Sequence, residues 1–142
     1  MPELADIRLD ETFALRRTVL GWDPPQCRID SDDAGHLAFV DEGTPVAVVS
    51  HAHWPCPDEP GVSARYFWAM AVDAARQRHG LGRMLLDELA RRSRIEGEQL
   101  LWADARDSAV EFYLRIGARQ SPTPPEIDEI TGMVDYRIIF EL

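Results

Sequence analysis

The sequence contains no lysine; all fifteen of its basic residues are arginine. That absence excludes a lysine Schiff-base mechanism and any self-modification at a lysine amine. Cysteine is scarce too, with Cys27 and Cys56 alone. Two thiols without C-x-x-C spacing supply neither a disulfide framework nor a redox or zinc motif. No apolar run reaches the roughly 20 residues that a membrane-crossing helix requires, and no charged-then-apolar leader opens the chain. A soluble, unprocessed, cytoplasmic protein with no membrane partner is therefore expected. Spread positive charge is also missing. A net charge of −10 argues against nucleic acid as a partner, because such binding draws on many cations to release counterions.

What remains is enough for one core. A chain of 142 residues fits a single domain, residues 1–142, with room for one active site. Asp6 to Leu9 suggests a short strand and Glu11 to Leu20 a helix. Gly21 to Gly35, with Pro24, Pro25 and the acidic run Asp30-Ser31-Asp32-Asp33, reads as a loop. Two β-rich runs come next, His36 to Asp41 and Thr44 to Trp54, joined by Glu42-Gly43, a good hairpin signal. After a proline-rich break at 55–61, Ala64 to Val72 reads as a third strand.

From Gly80 to about Glu96, Leu81, Leu85 and Leu89 recur at helical spacing, while Arg91, Arg92 and Arg94 suit the negative end of the helix dipole. Gly97 closes this helix. Gln99 to Ala103 then predicts a buried strand, Ser108 to Ile116 a helix closed by Gly117, Ala118 to Ser121 a short strand, and Met133 to Glu141 a last one. Glu126 to Gly132 is assigned no element. The sum is an α/β (α+β) fold: a mixed, mostly antiparallel sheet of six to seven strands, with helices on both faces and one β-α-β crossover.

The crossover carries the most specific signal. Between its strand and helix lies Gln77-Arg78-His79-Gly80-Leu81-Gly82, where glycine lets backbone approach an anion and a helix start offers bare N–H groups. Arg76, Arg78, His79 and Arg83 crowd the same turn. A G-x-G taken alone is equally an ordinary strand-to-helix loop. A Rossmann site would place its glycine loop after the first strand, and here a meander of strands precedes it.

These residues resemble the GCN5-related N-acetyltransferase (GNAT) family. Met70-Ala71-Val72-Asp73 looks like the end of that family's fourth strand, and the segment from Gln77 to Gly82 matches its Gln/Arg-x-x-Gly-x-Gly/Ala signature. Ala109-Val110-Glu111-Phe112-Tyr113-Leu114-Arg115-Ile116-Gly117-Ala118 looks like its second block, with Ala118 in place of the usual aromatic. The likeness is close over about residues 64 to 120. It implies acetyl-CoA as co-substrate, with Gln77 among the cofactor-binding residues and the pyrophosphate held by backbone N–H groups of Arg78, His79, Gly80, Leu81, Gly82 and Arg83. The pantetheine arm would pair with main-chain groups of Met70 and Val72.

The implied reaction is transfer of acetyl to a primary amine of a small molecule or peptide by direct attack. Tyr113, matching the family's Phe-Tyr pair, would donate its phenolic proton to the departing thiolate; alternatively it only packs the helix on the sheet. The base is not assigned. The strand from Arg65 to Val72 has no Asp or Glu, and His51 and His53 are as readily packed or surface groups. With Cys56 beyond a proline, the two histidines make a poor zinc set, and no metal is expected. Asp104 stands near where relatives carry an asparagine that bonds pantetheine, but a carboxylate cannot donate as an amide does. Trp54, Tyr66 and Trp68 line either an acceptor pocket or the core, and the acidic run hints at a cationic acceptor. A homodimer is possible. The rival function is a GNAT-fold module that binds an acyl-CoA without turning it over.

Overall fold

A computed structural model describes residues 1–128 and 132–142 of the chain. Its elements are β1 (Glu3–Asp6), α1 (Phe13–Leu20), β2 (Gly35–Asp41), β3 (Thr44–His53), β4 (Ala64–Val72), α2 (Leu81–Ile95), β5 (Leu100–Arg106), α3 (Asp107–Arg115), β6 (Arg119–Gln120), β7 (Glu126–Ile127) and β8 (Val134–Glu141). The eight strands take the order β1-β2-β3-β4-β5-β8-β6, with β7 paired to β8. The count exceeds the six or seven expected because β6 and β7 are two-residue strands. Of the segment from Glu126 to Gly132, which the sequence left without an element, residues 129–131 lie outside those described.

The chain forms two compact units, one of residues 1–52 and 67–89, the other of residues 53–66 and 90–142. In the first unit β1, β2 and β3 pair antiparallel. The β2–β3 hairpin turns on Glu42 and Gly43, with φ of 51° and 79°. Two successive left-handed residues are what a two-residue turn needs to match strand twist. The face of β2 and β3 that carries Ala38 and Val48 packs against Leu15, Val19 and Leu20 of α1. On the opposite face Leu37, Ala47 and Val49 are also fully buried, so this part of the sheet is covered on both sides.

β1 lies three residues earlier than the sequence suggests. Arg8 donates its backbone N–H to Glu11 Oε1 at 3.0 Å, and Thr12 Oγ1 donates to the Leu9 carbonyl at 2.6 Å. These local bonds wind Leu9–Thr12 into a 3-10 turn in place of the end of a strand.

Arg16 departs from what an amphipathic helix would show, since it is fully buried. Its guanidinium donates to both carboxylate oxygens of Asp30 at 2.6 and 2.9 Å, to the Pro25 carbonyl at 3.0 Å and to Ser50 Oγ at 2.9 Å. Asp30 also accepts from the Cys27 N–H and the Trp68 indole. One buried ion pair thereby fixes the loop between α1 and β2 to β3 and β4. Asp30 is spent on that task, so the acidic run offers a cationic ligand only Asp32 and Asp33.

In the second unit β5 runs parallel to β4 through the pairs Ala64–Leu100, Arg65–Leu101 and Tyr66–Trp102. It runs antiparallel to β8 along its whole length, from Leu100–Glu141 to Arg106–Asp135. The strand extends three residues beyond the Ala103 expected. Asp104 faces Arg137 and Arg106 faces Asp135, and the Arg106–Asp135 ion pair at 3.0 Å closes the end of a strand that its own polar residues would not suggest. Cys56, Ala64, Leu100, Trp102 and Ile139 form the core of this unit. Among the described residues, no helix is long and apolar enough to cross a membrane.

The buried pair gives a stability test. Burial alone would raise the Asp30 carboxyl, yet the hydrogen bonds from Arg16, Cys27 and Trp68 outweigh it and hold the group at about 2, below the ordinary 3.8. A carboxylate depressed on folding stabilises above its unfolded value, so this contribution is complete above about pH 4 and is lost as pH falls toward 2. Arg16→Met leaves the carboxylate buried and unpaired and is expected to cost about 3 to 5 kcal/mol in urea denaturation at pH 7. The loss should shrink as the pH is lowered through 3.

Candidate functional site

The turn between β4 and α2 lies wholly in the first unit. Ala69, in the middle of β4, has a φ of 55°, a left-handed value rare for a residue with a Cβ. Such a residue kinks a strand and re-aims its remaining length, here Met70, Ala71 and Val72. Past the strand, Asp73 donates its N–H to the Val46 carbonyl at 2.9 Å, and a 3-10 turn covers Ala74–Arg76. Arg76 pairs with Asp41 at 2.5 Å. Gln77 folds back so that Nε2 donates to the Val72 carbonyl at 3.1 Å.

The chain then reverses through two left-handed residues, Arg78 at φ 69° and Gly80 at φ 81°. Gln77, Arg78, His79 and Gly80 are exposed. Leu81, Gly82 and Arg83 form the first turn of α2, a helix of 15 residues. The Met84 N–H, bonded to the Gly80 carbonyl at 3.0 Å, begins its ladder. The amides before Met84 precede that first bond, at the positive end of the dipole. The structure thus brings Met70, Val72 and Gln77 through Arg83 into one short run of backbone. It also gives Gln77 a bracing job, fastening the turn to the end of β4.

Tyr113 belongs to the second unit. It is 8% exposed on α3, and its ring meets Phe112 and Phe140 edge-on at centroid distances of 5.2 and 6.4 Å. Its carbonyl accepts the Ala118 N–H at 3.0 Å, which ties the helix end to the Gly117 turn. Burial pushes the phenol well above its ordinary value of 10. The side chain therefore keeps its proton throughout the physiological range.

Other candidates are engaged elsewhere. His53 Nδ1 meets Glu98 Oε2 at 2.7 Å, and Arg65 donates to Glu98 Oε1 at 2.7 Å and to Glu96 Oε2 at 2.7 Å; this network pins the ends of β3, β4 and α2. His51 lies over Gly35 so closely that a Cβ there would come within 2.6 Å of its ring, and His36 Nδ1 is 2.7 Å from Ser50 Oγ. Trp68 is a core residue bonded to Asp30. Trp54 is 45% exposed, and Tyr66 stacks on Trp102 at 4.4 Å while its hydroxyl donates to Asp104 Oδ2 at 3.1 Å. Sequence reasoning missed that Tyr66–Asp104 bond. Its only signal was two polar groups on adjacent strands whose register the sequence does not reveal.

Comparison with known proteins bears on the family and the fold. The model of the acetyltransferase (GNAT) family matches residues 1–118. The chain belongs to that family, which places it among acyltransferases. No curated protein sequence matches it. Among solved structures, a candidate N-acetyltransferase from Lactobacillus plantarum superposes with a TM-score of 0.78 at 18% identity, covering 99% of this chain and 98% of that one. A GNAT-family acetyltransferase from Staphylococcus aureus gives 0.73 at 14% identity, covering 100% and 99%. An aminoglycoside 6'-N-acetyltransferase complexed with coenzyme A gives 0.74 at 12%, covering 98% and 96%. At such identities the likeness is one of fold.

The turn itself is testable. A Cβ on Gly80 would meet nothing within 4 Å, so only its left-handed φ resists substitution. Gly80→Ala is expected to lower stability by about 1 to 2 kcal/mol. Gly61→Ala, at a glycine with no positive φ and equally open space, should change the thermal midpoint little.

Proposed function

We propose that the chain, acting as a single domain, transfers the acetyl group of acetyl-CoA to a primary amine of a small molecule or peptide. The observation that carries this proposal is the exposed, twice left-handed turn at Arg78 and Gly80, which opens a long helix in a chain of the acetyltransferase family. Backbone N–H groups of Arg78 through Arg83 would bind the diphosphate, with the helix dipole and the turn's arginines adding to its hold. Gln77 keeps the turn in shape, and main-chain groups of Met70 and Val72 bind the pantetheine amides. The Val72 carbonyl already accepts from Gln77, so that residue would use its N–H and its remaining lone pair.

Chemistry here rests on positioning. Holding amine and thioester in attack geometry removes much of the entropic barrier. The amine nitrogen bonds to the carbonyl carbon and gives up its extra proton to a base, the tetrahedral oxyanion reforms C=O, and the C–S bond breaks with its electron pair on sulfur. Because the Tyr113 phenol is a weaker acid than a thiol of pKa about 8.5, it serves by donating a hydrogen bond to the developing thiolate rather than by surrendering its proton. The thiolate then takes a proton from solvent on release.

Thiol release from acetyl-CoA, measured against a panel of primary amines, tests the assignment. Acceptor-dependent release supports it, while tight coenzyme A binding without release would favour the binding module. Gly82→Trp should abolish coenzyme A binding with the fold retained. Tyr113→Phe, by removing one donor to the developing negative charge, should lower kcat by about 10²-fold with the coenzyme A Kd nearly unchanged. In the wild type no loss of rate should arise from Tyr113 up to pH 10, since its ionisation lies above that.

A further inference from the structure

Transfer to an amine needs a group that takes the amine's proton, and the fourth strand supplies no carboxylate. The second unit does. Within it β5 has two faces set by the alternation of its side chains. Leu101 pairs with Phe140 of β8, and Tyr113 packs on Phe140; α3 and its phenol therefore belong to that face. Trp102 pairs with Ile139 and Asp104 with Arg137. Those residues, with Tyr66, belong to the other face. A single strand thus divides a hydrogen-bond donor suited to a departing thiolate from a carboxylate two residues along its opposite side.

We propose that Asp104 is the proton acceptor for the attacking amine. This rests on the acetyl-transfer function proposed above. The side chain is 36% exposed, and its Oδ2 is oriented by the Tyr66 hydroxyl at 3.1 Å. Arg137 lies across the ladder, but it is committed to Asp58 at 2.7 Å and to the face of Trp102, and its Nε stays 3.9 Å from Asp104 Oδ1. Among the described residues, no tight ion pair therefore ties up Asp104. Its surroundings favour proton uptake: burial raises its pKa first, Asp135 on β8 and Glu126 on β7 add to the rise, and Tyr66 and Arg137 oppose it. A carboxylate with increased proton affinity is a better base. The neighbouring Asp135 is itself paired with Arg106 at 3.0 Å.

The step balances. The neutral amine forms the C–N bond, and the resulting N–H⁺ of the tetrahedral adduct passes its proton to Asp104. As the C–S bond breaks, amide and thiolate separate, and Asp104 returns its proton to solvent while the thiolate gains one.

The test is the pH profile of kcat/KM with acetyl-CoA and three probe amines, tyramine, spermidine and a peptide with a free N-terminus. For the wild type the rate should rise with pH along a limb set by a group above the ordinary 3.8 for aspartate. Asp104→Asn, which keeps the shape and still accepts from Tyr66, should lower kcat by about 10²-fold and remove that limb without weakening coenzyme A binding. Asp104→Glu should restore part of the rate. Tyr66→Phe removes a bond that favours the ionised carboxylate, so the limb should move to higher pH. A purely structural Asp104 would not produce that movement. Full activity in Asp104→Asn with the limb intact overturns the role of Asp104 alone, as does an unmoved limb in Tyr66→Phe. Absence of acceptor-dependent release by the wild type on all three amines overturns the transfer function and this role with it.

Discussion

An α-helix opens with N–H groups that its own carbonyls cannot reach, and α2 opens at an exposed turn held by two left-handed residues. Everything proposed for this chain depends on how that turn is kept in shape. Asp73 fastens its start to β3, Arg76 to Asp41, and Gln77 to the last carbonyl of β4. Gly80 supplies a conformation that a Cβ would oppose. None of these contacts uses the amides of the first helical turn, where the proposed diphosphate would bind.

The second constraint is the ladder between β5 and β8. Because it runs the full length of β5, the alternation of side chains stays in phase from Leu100 to Arg106. That phase puts Tyr113 and Asp104 on opposite faces, one buried among aromatic rings and the other open to solvent beside Tyr66. Backbone geometry keeps apart the two groups for which opposite tasks are proposed. Across the ladder Arg106 pairs with Asp135 at 3.0 Å, while Asp135 strengthens and the more distant Arg137 weakens the pull of Asp104 on a proton.

Local chemistry was legible in the sequence, and tertiary chemistry was not. Glu42-Gly43 announced its hairpin, Ala64 and Val72 bounded β4 as found, and the leucine spacing placed α2 to within a residue at each end. The G-x-G turn and the Phe-Tyr block were legible because their geometry depends on neighbours along the chain. Arg16 was not, since a helix pattern places an arginine outside and it is partners distant in sequence, Asp30, Pro25 and Ser50, that make its burial tolerable. The end of β5 depended on partners some thirty residues further on. The left-handed Ala69 had no signal at all, because alanine does not ask for that conformation. The Tyr66–Asp104 bond likewise became visible only once the β4–β5 register was known.

The central claim is that main-chain amides at 78–83 hold a diphosphate, and amide-resolved NMR titration tests it most directly. Coenzyme A should shift the N–H resonances of Arg78 to Arg83 strongly, while pantetheine, which has the thiol arm but no diphosphate, should leave them almost unmoved. Equal shifts with both compounds, or large shifts confined to other residues, would contradict the account.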